Sequence, residues 1–225
     1  MHGIVPATGQ HDVTVLIAAA GFGRRLGLGP KALLELNHEP LIVWVTRKAL
    51  LLSDDVVVAV PTGYLDTFRR LCPLCRCIHG GATRQESVAR LLGAAKRDWL
   101  ALLEAARPFF SSDLLRAVWA AARETGAAGA FLPLDVPAAL LSENRVVRDF
   151  CRDEVAVFQS PQAYSRTLLE AVYEEAIRRQ WQEQSTMQLL LRASHAVRAV
   201  PGEKTNIKVT TPEDWRMAQA LMDYL

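Results

Sequence analysis

Short continuous apolar runs alternate along this chain with stretches whose apolar positions recur every three or four residues. Val13-Thr-Val-Leu-Ile-Ala18 reads as a buried strand, and Asp55-Val-Val-Val-Ala-Val60 as a second, closed by Pro61. Cys75 to His79 is a shorter run that ends at Gly80-Gly81. Trp99-Leu-Ala-Leu-Leu103 would tolerate a helix, but its place between two helical patterns predicts a strand. Thr83 to Lys96 opens with Thr83 and Glu86 at capping-box spacing, and Asp113 to Glu124 follows two serines and stops before Gly126. Ser165 to Gln180 gathers Leu168, Leu169, Val172, Tyr173, Ala176 and Ile177 on one face. Thr211-Pro-Glu-Asp214 supplies an N-cap, a proline at the first helical position and an acid three residues after the cap.

Strands alternating with helices predict an α/β fold, a Rossmann-like, mostly parallel sheet flanked by helices. One stretch breaks the alternation. Between Leu134 and Gln159, the segments Val146-Val147 and Val155-Ala-Val-Phe158 lie near the polar turn Ser142-Glu-Asn144, which predicts a β-arm projecting from the sheet. The expected organisation is a loose tail over residues 1–12 and one domain over 13–225, with the arm at 134–159.

Composition narrows the function classes. Among 225 residues, half are hydrophobic, enough for one self-sufficient core. Lys and Arg number 26 against 24 Asp and Glu, a net charge of +2, too balanced for a general nucleic-acid or membrane binder. No run reaches the length of a membrane span, no secretory leader is visible and four cysteines are too sparse for a disulfide framework, so the cytoplasm is the expected location. Cys72, Cys75, Cys77 and His79 could be soft metal ligands, but Cys75, Cys77 and His79 alternate as they would along a short strand, and packing is the better reading.

The chemistry concentrates in the loop after the first strand, Ala18-Ala-Ala-Gly21-Phe-Gly23-Arg24-Arg25-Leu-Gly27-Leu-Gly29-Pro30-Lys31. Small residues let backbone N–H groups approach a phosphate, and ligands of open α/β sheets bind at the carboxyl ends of strands. The loop lacks the Gly-Lys-Ser/Thr of a Walker A motif. It is no clean dinucleotide fingerprint either, since no acid follows about 20 residues on at the ribose position. Arg25 and Lys31 suit a reaction at phosphorus, where catalysis is mainly positioning and charge stabilisation.

That loop resembles the signature of the sugar-phosphate nucleotidyltransferases, and more narrowly the 2-C-methyl-D-erythritol 4-phosphate cytidylyltransferase family of the non-mevalonate isoprenoid pathway. Further blocks carry the narrower likeness in order: Gly80-Gly-Ala-Thr-Arg84-Gln-Glu-Ser87-Val88, Ala105-Ala-Arg107-Pro108, Ser160-Pro161-Gln162 and Asn206-Ile-Lys208-Val-Thr-Thr-Pro-Glu-Asp214. The resemblance implies that Ala19, Ala20, Gly21, Gly23, Gly81, Arg84 and Ser87 hold CTP, with Arg107 supporting the nucleotide wall. It implies that Arg25 and Lys31 are catalytic, that Arg152, Ser160 and Lys208 bind a phosphorylated polyol, and that Glu104 stands at the position of an Mg2+-linked acid. It also implies a homodimer exchanging the 134–159 arm, with Arg152 reaching the neighbouring site, and no nucleic-acid or membrane partner.

The chain departs from the family pattern at four places. Leu103-Glu104 replaces His-Asp, moving the carboxylate out by one methylene, about 1.5 Å. The arm's Pro-Val-x-Asp-Thr becomes Pro133-Leu-Asp-Val-Pro137, Thr-Asp-(Glu/Asp)-Ala becomes Gln184-Ser-Thr-Met187, and Ser160 stands for a Thr. The nucleotide side is therefore intact, whereas the acceptor side keeps its cations and loses hydroxyl and acid groups. An altered acceptor, or nucleotide binding without turnover, are the alternatives this pattern leaves open.

Overall fold

The computed structural model describes residues 12–23, 27 and 29–224. Most of the expected tail, together with Arg24 and Arg25, lies outside the described residues. In chain order the elements begin with β1 (Val13–Ala18), the small hairpin β2 (Glu35–Leu36) and β3 (Glu39–Pro40), α1 (Leu41–Ala49), β4 (Val56–Val60) and α2 (Leu65–Leu71). They continue with β5 (Arg76–His79), α3 (Arg84–Ala94), β6 (Trp99–Glu104), α4 (Ser112–Thr125) and β7 (Ala127–Pro133). The chain closes with β8 (Ala138–Ser142), β9 (Arg145–Phe150), β10 (Ala156–Ser165), α5 (Arg166–Arg178), α6 (Thr186–Arg192), β11 (Arg198–Pro201) and α7 (Pro212–Leu221).

Seven strands form the central sheet in the order β11-β7-β10-β6-β1-β4-β5. Every pairing is parallel except those of β10, which runs against both of its neighbours, β6 and β7. The ambiguous run at residue 99 is a strand at the centre of this sheet, paired with β1 from Val13↔Trp99 to Ala18↔Glu104. Its neighbours fill both faces, so an uninterrupted apolar run serves it as it serves β1 and β4.

The pleat of β1 divides the core. Val13, Val15 and Ile17 pack with Ile42 and Val45 of α1, Phe68 of α2 and Leu114 and Val118 of α4. Leu16 points the other way, among Val88 and Leu91 of α3, Leu169 and Val172 of α5 and Leu189 and Leu190 of α6. Helices therefore cover both faces.

Local signals set the helix ends. Ser111 caps α4 by accepting from Leu114 N, and Gly126, at φ +85°, closes it in the left-handed region that a side chain would strain. Thr83 caps α3 by accepting from Glu86 N. The Glu86 carboxylate does not complete the box on Thr83; it accepts from Ala82 N instead, at 2.8 Å. The expected cap at Thr211 forms a full box with Asp214.

The arm differs in its pairing from the expectation. Its hairpin joins β8 to β9 around Glu143 and Asn144, both at positive φ as a tight two-residue turn requires. Ala156–Phe158 belong instead to the central sheet, because β10 pairs them with β7 before turning along β6. The hairpin's apolar side chains stay in solvent, Leu141 at 64% and Val146 at 67% exposure. Among the described residues no helix is long and apolar enough to cross a membrane.

Candidate active site

The carboxyl ends of β1, β4 and β6 meet at one place. Ala19 N donates to Ala59 O at 2.9 Å, Gly80 N to Val60 O at 2.8 Å and Ala105 N to Ala18 O at 3.1 Å, stitching these strand exits to one another and to that of β5. From β1 the chain moves outward to β4 and β5, then returns to β6 on the other side of β1. That reversal makes the crevice at which open α/β sheets bind ligands. Here it is a cleft of about 850 Å³.

The loop after β1 forms one wall. Ala19 is buried, and Ala20, Gly21 and Lys31 line the cleft. Lys31 N donates to Gly21 O at 3.1 Å, folding the loop back so that its far end returns to its start. The Lys31 ammonium reaches Val209 O at 3.4 Å. Gly23 sits at φ +61°, and a Cβ there would come within 2.4 Å of Lys31 Cγ, so a side chain at 23 would displace the lysine stem. Phe22 meets the ring of Tyr64 edge-on, 6.0 Å between centroids. Arg25 lies outside the described residues.

The facing wall is the entry to α3. Gly81 N donates to Ser87 Oγ at 3.0 Å, and Ser87 Oγ donates to Thr83 O at 2.9 Å. A Cβ on Gly80 would fall 2.4 Å from Ala20 Cβ, so the two walls touch through glycine. Arg90 reaches back past the start of α3 to Gly80 O at 2.9 Å and pairs one turn back with Glu86. Sequence reasoning passed over Arg90, although its i,i+4 spacing from Glu86 was a usable signal.

Glu104 closes the floor at the end of β6. Arg84 Nε lies 3.0 Å from its Oε1, Lys208 Nζ 2.8 Å from its Oε2, and Arg107 Nε 3.6 Å from the same Oε2. Burial pushes the carboxyl up, but Lys208 and Arg84 outweigh burial and hold it at about 2. Behind it, buried Arg107 donates to Asn206 O at 2.6 Å and to Phe158 O at 3.2 Å. Asn206 Nδ2 donates to Ser160 O at 2.7 Å, and Gln159 Nε2 donates to Glu203 O at 2.9 Å. Buried Gln159 and Asn206 thus tie the β10 turn to the segment carrying Lys208, a role no local pattern announced.

The expected residues fall into three groups. Ala19, Ala20, Gly21, Lys31, Gly81, Arg84, Ser87, Glu104 and Lys208 line the cleft. Arg107 and Ser160 are buried outside its lining, and Gly23 stands against the Lys31 stem. Arg152 stands apart, exposed at the base of the arm beside Asp153. Among the described residues no three His, Cys, Asp or Glu side chains are grouped to hold a metal. Burial pushes the thiols of Cys72 and Cys75 up to about 12.

The model of the 2-C-methyl-D-erythritol 4-phosphate cytidylyltransferase family matches residues 13–224. The chain belongs to that family. A relative of that name from Thermus thermophilus is 38% identical over 215 residues, spanning 93% of this chain and 97% of its own. Another, from Deinococcus radiodurans, is 37% identical over 223 residues, spanning 98% of this chain and 94% of its own. A crystal structure of the enzyme from Thermus thermophilus superposes with a TM-score of 0.82 at 33% identity, covering 95% of this chain and all of that one. A structure from Anaerococcus prevotii, 24% identical with a TM-score of 0.82, bears on the fold alone.

Against the family pattern, one apparent loss has a structural answer. In Gln184-Ser-Thr-Met187, Ser185 caps α6 in a full box with Gln188, and fully buried Thr186 accepts from Arg84 at 3.3 Å. Met187 packs over Gly129, where a Cβ would overlap its methyl. The hydroxyl at 186 therefore serves the cation wall.

Proposed function

We propose that this protein transfers the cytidylyl group of CTP to 2-C-methyl-D-erythritol 4-phosphate, releasing pyrophosphate, in isoprenoid-precursor synthesis. The observation that carries the reading is the family match over residues 13–224 on a cleft that gathers Lys31, Arg84 and Lys208 from three separate elements. An oxygen of the acceptor phosphate attacks the α-phosphorus of CTP in line. The new P–O bond forms as the bond to pyrophosphate breaks.

Lys31 stabilises charge on the α-phosphate oxygens, with Arg25 assigned the same task. Backbone groups of Ala19, Ala20, Gly21 and Gly81, with Ser87, hold the cytidine, and Arg84 faces the phosphates from that wall. Gly23 leaves room for the Lys31 stem, and Arg107 braces the floor. Lys208, with Ser160 behind it, faces the acceptor phosphate.

Mg2+ is the metal we assign, supplying charge neutralisation across the triphosphate when bound. Such an ion would be held largely by substrate phosphates and water, and would ask little of the protein. Glu104 is the acid on the cleft floor, but its two oxygens already meet Arg84, Lys208 and Arg107. The arm pairs two copies, bringing Arg152 to the partner's acceptor phosphate; its exposed Leu141 and Val146 support that reading.

Incubation with CTP, Mg2+ and methylerythritol phosphate should release pyrophosphate, and a chelator should stop it. Release only with a different polyol phosphate would overturn the choice of acceptor, which Val136 and Pro137 on the arm make worth testing.

A further inference from the structure

Glu104 is surrounded by more positive charge than one carboxylate balances. Arg84 comes from α3, Arg107 from the turn after β6 and Lys208 from the segment before α7, and both carboxylate oxygens are engaged. Two of these cations, Arg84 and Lys208, line the cleft, while Arg107 is turned into the protein. Arg84 is held from its other side by Thr186 of α6 at 3.3 Å, and Thr186 lies 3.5 Å from the Tyr173 hydroxyl. A divalent cation approaching Glu104 would meet oxygens already engaged, within reach of three positive groups. A phosphate would meet Arg84 and Lys208 already in place. Long side chains fixed before the substrate arrives need no reorganisation in the transition state.

We propose that Glu104 is a positioning residue, the counter-ion that fixes Arg84 and Lys208 to receive the acceptor phosphate, and that the metal is held by the triphosphate without a direct bond to it. This rests on the phosphoryl-acceptor reading above and assigns the acid at position 104 a task distinct from metal ligation. Glu104 also competes with the substrate for Lys208, so its charge trades anion affinity for geometry.

Glu104→Gln tests this in the full-length protein, because it keeps the shape and removes the charge. Inorganic phosphate, titrated calorimetrically into metal-free protein, should bind several-fold tighter to the variant. Its kcat should fall about tenfold or more, while the Mg2+ concentration giving half-maximal rate at fixed CTP moves less than about twofold. Glu104→Asp, which restores the charge, should return phosphate affinity toward the parent value. A Mg2+ midpoint raised about tenfold, with phosphate affinity unchanged, would place Glu104 on the metal and overturn the proposal.

Should the Gln variant fail to fold, Thr186→Val loosens Arg84 without altering charge. It should raise the KM for the acceptor several-fold at an unchanged Mg2+ midpoint, and an unchanged KM overturns the proposal. An inactive parent protein would sink the proposed acceptor alone, since the phosphate titration does not depend on turnover.

Discussion

Two carboxylates stand at opposite ends of the parallel strands of the same sheet, and their surroundings separate structure from chemistry. Asp55, just before β4, accepts from Thr14 Oγ1 at 2.6 Å and from Arg76 at 2.7 Å. Thr14 Oγ1 in turn accepts from the backbone N–H groups of Lys96 and Arg97, fastening the strand entries together. Around Asp54 and Asp55, the cations Arg76, Lys96 and Arg97 are nearly balanced. Around Glu104, three cations face one acid, and the cleft beside it adds Lys31 and Arg90 against Glu86. Near-balance fastens the fold, whereas an excess of fixed positive charge prepares a place for an anion. The side that carries the excess is the carboxyl end of the parallel strands, where the crevice lies.

The sharpest way to break this contrast is Lys31→Ala. At the charge-excess end it should lower kcat by about 10²–10³-fold, with the thermal unfolding midpoint almost unchanged. Near-parental turnover would take Lys31 out of the mechanism. Asp55→Ala should do the reverse, costing about 1–3 kcal/mol of unfolding free energy by removing the acceptor of Thr14 and Arg76, and leaving kcat within about twofold. Denaturant melts and steady-state rates measured on both variants read the contrast directly.

Acid titration sharpens it further. Burial opposes ionisation of Asp55, but Thr14 and Arg76 outweigh it and lower its pKa below 3.8; the Glu104 carboxyl falls from 4.5 to about 2. Folded-state values below the unfolded ones mean both acids stabilise the fold above those unfolded values. That contribution disappears as pH falls, for Glu104 between 4.5 and about 2. Asp55→Asn should therefore flatten the loss of stability with acid without moving the pH profile of kcat. An unchanged slope would mean that Asp55 contributes nothing to acid sensitivity. The smallest expected effect is that of Tyr164→Phe, which removes a buried hydrogen bond to Gln162 Oε1 of 2.8 Å. It should cost about 1 kcal/mol in a denaturant melt and leave the Mg2+ and CTP dependences untouched.

Much of this was legible in local sequence. Val13 to Ala18 and Val56 to Val60 have no polar alternation, as strands covered on both faces require. Thr83, Ser111, Thr211 and Gly126 mark helix ends because each acts within three or four residues of itself. The loop from Ala18 to Lys31 showed its candidate chemistry for the same reason, with small residues and cations adjacent in the chain. Val155–Phe158 were assigned to the arm because an extended apolar run looks the same in a hairpin as in a sheet. Only the partner strand distinguishes the two, and that partner, β7, lies more than twenty residues upstream. Glu104 was read from the resemblance as a metal-linked acid, and its other cations went unseen because nothing near it in sequence is cationic except Arg107.

The sequence by itself determined the alternation of strands and helices, the candidate phosphate loop and the family, since all three rest on residues close along the chain or on blocks in order. Only the tertiary structure decided that β10 runs antiparallel between β6 and β7, and that Arg84, Thr186 and Lys208 converge on Glu104. Arg84 and Thr186 are 102 residues apart. Side chains so distant meet only once strand register and helix packing have fixed their positions, and the charge on the cleft floor is a property of that meeting.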